Sequence, residues 1–404
     1  MSDMKAVRDY YDKRGAEAAG AVGRMVDRVP SIRDRLAAAG VGSSGLTAVD
    51  LDSVPVLTKD ALPALQRAYP PYGGLVAEGT PVARVFASPG PIYEVQLEGE
   101  DPWQWAAALQ ACGIGAGDVV LNCFGYHLSP AGMMFDLACG AVGATVVPGG
   151  VGSVEVQARV VSDIGVTAYI GLPSYLAALV EAFDNLDLPT DRWHVDKALV
   201  TAEPLPDALR ERLVQRVPTV LMAYGTAEAG LIGHEVEPGA GLEVPDHVFV
   251  QVCDPESGVP VLDDSPGEVV VTMVGAGTPL LRFGTGDISR WQLDEGDRLR
   301  LGGVLGRVGA AVKARGMFIH PHQAAEVVRG LRDLGVEGGR YVVLRDADRD
   351  ELRLELVAGS GADRAMVTTA AEERTRASLR VRPRVTFVES VPAGDVLVDA
   401  REAI

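Results

Sequence analysis

The chain has 404 residues, 47% of them hydrophobic and 23% charged, and a formal net charge of −18 at pH 7. This length predicts two domains rather than one compact core. The excess of acidic residues argues against a broad phosphate-binding surface, so nucleic acid is not an expected partner.

The cysteines and the N-terminal segment indicate a cytoplasmic protein. The four cysteines lie far apart and include no Cys-x-x-Cys pair, a spacing that predicts neither a zinc site nor a disulfide framework. Charges run through residues 1–15, so no signal peptide is expected there. Asp136, Pro173 and several glycines interrupt the longest apolar stretches, and we therefore expect no membrane-spanning helix.

The first predicted elements are helices, and a long region of alternating strands and helices comes after them. Residues 1–40 read as helical, and a Pro/Gly stretch at 69–75 separates them from the alternating region. Short apolar segments then alternate with amphipathic ones up to about residue 300, which predicts a parallel sheet of βαβ units. The strand candidates are 83–87, 118–124, 144–148, 166–172, 197–201 and 219–225.

Two changes of pattern divide the rest of the chain. Residues 248–254 and 267–274 look like strands joined by turns, which predicts an antiparallel sheet or a distorted barrel. After Gly309, short strands lie between two helices, as in a small α+β domain. We therefore predict an α/β fold with a large N-terminal domain over 1–306, a hinge at 307–310 and a small C-terminal cap domain over 311–404.

Three segments in the second half of the chain match the ordered motifs of a known family. Residues 224–228, Tyr-Gly-Thr-Ala-Glu, resemble a Tyr-Gly-x-Ser/Thr-Glu motif, and residues 285–287, Thr-Gly-Asp, resemble the end of a Tyr-Arg-Thr-Gly-Asp motif. Residues 306–316 resemble a hinge motif, with Ile319 and Pro321 after it. The ordered set resembles the adenylate-forming (acyl-activating, ANL) superfamily.

Segments nearer the N-terminus resemble one branch of that superfamily, the phenylacetate–CoA ligases. They are VPVLTKDAL at 54–62, NCFGY at 122–126, LPSY at 172–175 and TAEP at 201–204. The resemblance covers the chain from residue 30 to its end. It implies an enzyme that joins a carboxylic acid to AMP from ATP and then passes the acyl group to a thiol, with CoA as the expected thiol.

The resemblance also implies roles for individual residues. Asp287 would bind the ribose hydroxyls, Glu228 would bind Mg²⁺, and Arg307 would reach the ribose or the phosphates. Tyr224, with Gly225, would face the adenine, and Glu203 would line the nucleotide cleft. Structural alternatives stay open, since Asp287 could cap a turn and Glu228 could cap a helix.

An acyl pocket suited to an aromatic or otherwise compact acid is implied in the same way. Together with Tyr224, its residues would be Phe124, Gly125, Tyr126, Leu128, Tyr175 and Ala202.

The sequence departs from the family at its phosphate-handling positions. The phosphate loop expected near 87–96 contains two prolines, which lack N–H donors, and Glu94 occupies the expected lysine position. A carboxylate there would repel a triphosphate. Asp395 stands where the family has its adenylation lysine, and no lysine comes after Lys313. Ala227, Gly284 and the pair at 309–310 are smaller departures. Ordinary ATP-driven adenylation is therefore expected to be absent or very slow.

Three functional hypotheses are compatible with these residues. The first is ATP-independent transfer of an acyl group from a thioester of CoA or of a carrier-protein phosphopantetheine to an acceptor. His127 could then be the base and Cys123 an acyl-accepting thiolate, although His127 could equally lie at the pocket rim and Cys123 could be a buried, inert thiol. The second is an ATP-dependent aryl-CoA ligase, and the third is a non-catalytic relative that binds a carrier protein or a small acid. A homodimer stays open as an assembly.

Overall fold

The computed structural model describes residues 5–88, 92–274, 279–308, 312–315, 317–319, 321–346, 349–392 and 396–401. The chain divides into two compact units, Met1–Gly306 and Arg307–Ile404. Each unit contains buried hydrophobic clusters of its own. None of the described helices is both long enough and apolar enough to cross a membrane.

The first unit opens with three helices and a short strand: α1 (Lys5–Met25), α2 (Pro30–Ala38), α3 (Ala48–Asp52) and β1 (Leu57–Thr58). Pro30 lies in the first turn of α2, where its missing N–H is not needed. Thr47 and Asp50 form a reciprocal capping box at the start of α3, in which the Asp50 N–H donates to Thr47 Oγ1 at 3.3 Å. These local signals fix where each helix begins.

A 3₁₀ turn over Lys59–Ala61 comes after β1 and leads into α4 (Leu62–Ala68), β2 (Val82–Ser88) and β3 (Ile92–Leu97). The strand predicted at 83–87 is β2, but it pairs antiparallel with β3 in a two-stranded sheet and does not join the parallel sheet. The short connection between the two strands explains the difference, because parallel pairing needs a crossover of a dozen residues or more.

A six-stranded sheet with the order β5-β4-β6-β7-β8-β9 forms the centre of the first unit. Its strands are β4 (Val119–Asn122), β5 (Thr145–Pro148), β6 (Ala168–Gly171), β7 (Lys197–Val200), β8 (Thr219–Thr226) and β9 (Gly230–His234). The helices of this region are α5 (Ala106–Ala111), α6 (Ala131–Ala141), α7 (Val154–Ile164), α8 (Pro173–Asn185) and α9 (Asp207–Val214), with a 3₁₀ turn at Thr190–Arg192.

Strands β4 to β8 pair in parallel, and β9 pairs antiparallel with β8. The predicted parallel sheet is confirmed, because β4 to β8 correspond to the predicted strands between 118 and 225. Strands β5 and β6 lie on opposite sides of β4, so the connections leaving β4 and β6 diverge. Open sheets of this kind bind ligands at that switch point, at the carboxyl ends of the strands.

A second sheet has the order β1-β12-β11-β10. It contains β10 (Val248–Cys253), β11 (Gly267–Met273) and β12 (Phe283–Ser289), which pair antiparallel as predicted, while β1 pairs in parallel with β12. The hairpin β13 (Trp291–Leu293) and β14 (Leu299–Leu301) comes next. Strand β15 (Gly306–Arg307) lies at the boundary between the units.

The second unit is a small α+β domain. The hairpin β16 (Val312–Ala314) and β17 (Met317–Ile319) precedes α10 (Pro321–Gly330), a 3₁₀ turn at Arg332–Leu334, β18 (Val336–Asp346), β19 (Arg349–Ala358), α11 (Arg364–Leu379), β20 (Arg384–Phe387) and β21 (Leu397–Asp399). Its sheet has the order β20-β19-β18-β21. Asp363 caps α11 by accepting from the N–H of Ala365 at 2.9 Å and of Met366 at 3.2 Å. The mixed α/β fold class is thus confirmed.

Candidate active site

The residues predicted for the acyl pocket lie after the carboxyl ends of neighbouring parallel strands. Residues 124–128 come after β4, Tyr175 lies in the first turn of the helix after β6, and Ala202 comes after β7. Tyr224 lies near the end of β8. Because β4, β6, β7 and β8 are adjacent and parallel, these segments meet at one edge of the sheet.

Hydrogen bonds from a buried asparagine hold the segment after β4 in place. Asn122 Nδ2 donates to Tyr126 Oη and to the carbonyl of Gly132, both at 2.8 Å. Tyr126 Oη in turn donates to Asp136 Oδ1 at 3.1 Å. The ring of Phe124 stacks on Phe135, with 5.0 Å between centroids. The Tyr126 hydroxyl is therefore bound to the protein, and a contribution of Phe124 and Tyr126 to an acyl pocket stays a prediction.

Gln157 joins two of the predicted residues, Cys123 and Tyr175. Its Oε1 accepts from Tyr175 Oη at 2.8 Å and from Cys123 Sγ at 3.4 Å. Burial raises the pKa of Cys123 to about 12. Since the thiolate is the nucleophile, the hypothesis that Cys123 accepts an acyl group is corrected, and the buried, inert alternative fits the structure.

His127 and Leu128 lie at the surface. His127 is exposed, and the described residues give its imidazole no orienting hydrogen bond. The Leu128 side chain is 56% exposed, while its carbonyl accepts from the Ala87 N–H at 2.9 Å and ties this loop to β2. Leu128 therefore does not form a buried pocket wall, and the role of His127 as a base stays a prediction.

Tyr224 and Asp287, both predicted to contact a nucleotide, are hydrogen-bonded to each other. Tyr224 Oη donates to Asp287 Oδ2 at 2.9 Å, and the two residues are 7% and 5% exposed. The Asp287 N–H donates to Thr285 Oγ1 at 3.1 Å, which fixes the turn. The structure thus brings together the first residue of one sequence motif and the last residue of another.

Close packing explains the glycine after Tyr224. A Cβ on Gly225 would lie 2.2 Å from the carbonyl oxygen of Gly230 and 2.7 Å from the Trp105 ring. Only glycine lets the two backbone segments approach this closely. The motif residue Gly225 therefore has a structural reason, independent of any ligand.

Ala202 and Glu203 come directly after β7. Ala202 has a φ of +68°, a left-handed conformation that is costly for a non-glycine residue. Glu203 Oε2 accepts from Ser174 Oγ at 2.5 Å, which fixes the carboxylate near the start of α8. Such local strain is typical of functional turns.

Gly284, where the family has arginine, makes room for a buried carboxylate. A Cβ on Gly284 would lie 2.5 Å from Glu268 Oε1. Glu268 is 7% exposed and accepts from the Gly286 N–H at 3.0 Å, and burial raises the pKa of its carboxyl. Glycine in place of the family's arginine at position 284 therefore leaves the space that the Glu268 carboxylate occupies.

Lys59 is a site residue that the sequence reasoning did not identify. Its Nζ lies 2.6 Å from Glu228 Oε1, and the Glu228 side chain is only 6% exposed. Burial acts to raise the pKa of Glu228, but the Lys59 charge and hydrogen bonds from Lys59 and Thr226 hold it below its ordinary value. The sequence did contain one indication: almost all of the 37 basic residues are arginine, so a lysine at position 59 is unusual in this chain.

Glu94 lies beside this ion pair. It is 5% exposed, and its Oε2 accepts from Ser88 Oγ at 2.7 Å across the β2–β3 hairpin. Burial, and then the charge of Glu228, raise the pKa of Glu94 to about 7, against the opposing effects of Lys59 and Ser88. The expected repulsion between this carboxylate and a triphosphate stays a prediction, and it would weaken as the pH falls below about 7.

Comparisons with known proteins agree with these motifs. A model of the AMP-binding enzyme family matches residues 151–276. A phenylacetate–coenzyme A ligase from Thermus thermophilus is 28% identical over 353 residues, which are 83% of this chain and 78% of that protein. One from Escherichia coli K12 is 26% identical over 75% of this chain and 72% of that protein. The chain is thus similar in sequence to enzymes of the adenylate-forming superfamily.

Solved structures of two other enzymes share the fold. A 2-hydroxyisobutyryl-CoA ligase, in complex with 2-HIB-AMP and CoA, superposes with a TM-score of 0.85 at 22% identity and covers 99% of this chain and 91% of its own. The amide bond synthetase McbA from Marinactinospora thermotolerans has a TM-score of 0.59 at 20% identity, with 79% and 69% covered. The resemblance to the phenylacetate–CoA ligase branch is confirmed by the sequence comparisons.

A recess lies next to Glu94 and Glu228. It is a shallow, open recess with a cavity volume of only about 30 Å³. Apart from the two carboxylates, the lining consists of apolar or aromatic side chains, one glutamine and Ala227: Leu62, Gln66, Tyr72, Leu75, Val76, Ile92, Tyr93, Val95 and Leu280.

The Mg²⁺ ion that the superfamily implies does not find a prepared site among the described residues. The carboxylate of Glu228 already meets the ammonium of Lys59, so a metal ion would have to displace Lys59. No group of three potential ligands occurs in the described ranges. We therefore derive no chemical step through Mg²⁺.

Several predicted residues cannot be placed at the site. Arg307 belongs to the second unit, so its approach to a nucleotide stays a prediction. The prolines at 89 and 91, the pair at 309–310 and Asp395 lie outside the described residues.

Proposed function

We propose that the chain is an acyl-activating enzyme that joins a small, compact carboxylic acid to CoA. The observation that carries this proposal is the buried Tyr224–Asp287 hydrogen bond at the same sheet edge as the predicted acyl residues. The names of the curated relatives, which are coenzyme A ligases, support CoA as the thiol.

In this reaction the nucleotide site would activate the acid. A carboxylate oxygen attacks the α-phosphorus of ATP, pyrophosphate leaves, and an acyl-adenylate forms. The CoA sulfur then attacks the acyl carbonyl, the bond to AMP breaks, and the thioester is released. Asp287, oriented by Tyr224, supplies a buried acceptor for the ribose hydroxyls, and Glu203 lines the cleft.

The second candidate is ATP-independent acyl transfer from a thioester to an acceptor. One observation favours it. Glu94 and Glu228 lie side by side where phosphates would be bound; Lys59 pairs with Glu228, and Glu94 adds a negative charge whenever it ionises. An excess of negative charge disfavours a triphosphate. In this case His127 is the predicted base, and the acyl donor is a CoA or carrier-protein thioester.

One set of assays separates the two candidates. The full chain is incubated with phenylacetate or benzoate and CoA, with and without ATP, and AMP and thioester are quantified by chromatography. AMP and thioester formed in equal amounts support the ligase, and Asp287→Asn should then weaken AMP binding at least tenfold, whereas the exposed-turn variant Asp254→Asn should not.

Benzoyl-CoA offered with an amine or alcohol acceptor tests the second candidate in the same preparation. Loss of the thioester with a new ester or amide, without ATP, supports transfer. Absence of turnover in both assays would reject both candidates and leave the non-catalytic relative.

A further inference from the structure

Gln157, near the start of α7, is buried and uses every hydrogen-bonding position of its side chain. The residue is 4% exposed. Its Nε2 donates to the carbonyl of Gly149 at 3.0 Å and to that of Gly150 at 3.1 Å. Its Oε1 accepts from Tyr175 Oη at 2.8 Å and from Cys123 Sγ at 3.4 Å. The amide is therefore held in one orientation, because turning it over would leave buried polar groups unpaired.

The partners of Gln157 come from three segments at the carboxyl edge of the parallel sheet. Cys123 follows β4, the loop at 149–152 follows β5, and Tyr175 lies in the first turn of α8 after β6. Strands β5 and β6 flank β4, so the connections diverge here, and open sheets bind their ligands in the crevice at such a point. Gln157 therefore ties together segments that border the expected binding crevice.

The bond to Gln157 occupies the hydroxyl proton of Tyr175. Oη carries a single hydrogen, which is donated to Gln157 Oε1 at 2.8 Å, and the carbonyl of Gly152 lies 3.2 Å from the same oxygen. Burial raises the pKa of Tyr175 to about 12, so the hydroxyl keeps this proton at neutral pH. Tyr175 is only half-buried. What it offers a ligand is therefore an oriented ring, and not a free hydroxyl donor.

We infer that Gln157 is a positioning residue, which fixes the Tyr175 ring for contact with the apolar group of an acid bound at this edge of the sheet. This role rests on the part of the proposed function that places an acid there. It favours acids with an aromatic substituent, because the attraction between two rings depends on their mutual geometry.

A purely structural role for Gln157 predicts a different pattern of effects. Gln157→Leu keeps a side chain of similar size but leaves buried partners unpaired, so some loss of stability is expected in either case. Only a positioning role makes the effect on acid binding depend on Tyr175. A cycle with Tyr175→Phe separates the two roles, since changes that act through one shared contact are not additive.

The test is titration of the full chain with phenylacetate, without ATP or CoA, monitored by ligand-observed NMR. Gln157→Leu and Tyr175→Phe should each lower the affinity at least tenfold, and the double variant should stay within twofold of the weaker single variant. Gln110→Leu, at an exposed position of α5, should leave the affinity within twofold of wild type. Urea unfolding midpoints verify folding, and if Gln157→Leu does not fold, the tenfold loss in Tyr175→Phe decides.

The turnover assay adds a second measurement. If thioester forms, Gln157→Leu should raise KM for phenylacetate at least tenfold while kcat and KM for CoA stay within twofold. An unchanged KM would overturn the role of Gln157 and leave the ligase proposal standing.

The binding titration decides the role of Gln157 even without turnover. Wild-type affinity in Gln157→Leu, additive losses in the double variant, or no binding of phenylacetate to wild type would each overturn it. The expected binding cycle without formation of AMP and thioester would support the role of Gln157 and reject the ligase.

Discussion

Lys59 Nζ lies 2.6 Å from Glu228 Oε1, and it joins the turn after the first strand to the segment after the last parallel strand. The carboxylate side chain is 6% exposed and the lysine side chain 24%. A buried carboxylate of this kind is tolerated because its partner is charged and close. The pair therefore stabilises the region around the recess.

Removal of the lysine charge should destabilise the first unit. Lys59→Met leaves Glu228 buried without its countercharge, and we expect a loss of about 3 kcal/mol, the lower end for a broken buried pair, because Lys59 is partly exposed. The double variant Lys59→Met/Glu228→Gln should recover most of the loss. Urea unfolding midpoints provide the measurement.

Lys5→Met is the matched control for this cycle. The Lys5–Asp9 pair is exposed, with side chains 84% and 61% accessible, so its removal should leave the midpoint unchanged. If the double variant were as unstable as the single one, the loss would come from packing of the lysine stem and not from an unpaired carboxylate.

Glu94 should make stability depend on pH in a defined window. Its pKa is raised from an ordinary 4.5 to about 7 in the folded chain. A raised folded-state pKa gives stability that is fully present below pH 4.5 and is lost as the pH rises to about 7. Relative to Glu94→Gln, wild type should therefore lose about 3 kcal/mol across that window and no more above it.

The measurement is the difference in free energy of unfolding between wild type and Glu94→Gln at several pH values from 4 to 9. Glu98→Gln, on the same hairpin but exposed, should give a difference from wild type that does not change with pH. Parallel pH profiles for wild type and Glu94→Gln would show that Glu94 has the same pKa in the folded and unfolded chains, which would contradict the raised pKa.

The sequence predicted the parallel sheet well, for a physical reason. Apolar segments that alternate with helices predict a parallel sheet. Strands β4 to β8 match the predicted strands to within a few residues at each end. Tyr224 and Asp287 were each assigned a nucleotide role by resemblance to a motif, and those roles stay predictions; the hydrogen bond between the two residues is a finding of the structure.

The ion pair of Lys59 and the protonation state of Glu94 could not be predicted from the sequence pattern. The Lys59–Glu228 contact joins segments far apart in the chain, and it depends on the parallel pairing of β1 with β12. The protonation state of Glu94 depends on its burial and on Glu228, neither of which a pattern of residue types contains. Likewise, Cys123 at the end of an apolar strand could be reactive or inert until its burial was known.

The cysteines should be unreactive in the folded chain. Burial raises the pKa of each of the four thiols to about 12. Because thiolate is the reactive form, Ellman's reagent at pH 8 should modify the native chain only at the rate of unfolding, and all four thiols at once in urea. One equivalent of fast reaction in the native chain, absent in Cys123→Ser, would restore the nucleophile hypothesis.

Even alanine, the smallest side chain, should destabilise the chain at position 284, where the family has arginine. A Cβ there would lie 2.5 Å from Glu268 Oε1 and 2.7 Å from Val56, and both neighbours lie in packed segments. We expect Gly284→Ala to destabilise the chain by about 1 to 3 kcal/mol, as overpacking does. Thermal or urea unfolding of the variant beside wild type measures the effect.

Gly42→Ala provides the comparison, because a Cβ at Gly42 meets nothing within 4 Å. This change should be neutral or slightly stabilising, since alanine restricts the unfolded chain. The Gly284→Ala loss should also shrink when Glu268 is shortened to alanine, because the clashing oxygen is then removed. If Gly284→Ala were as stable as Gly42→Ala, Glu268 could move aside at no cost, and packing would not explain why glycine stands in place of the arginine.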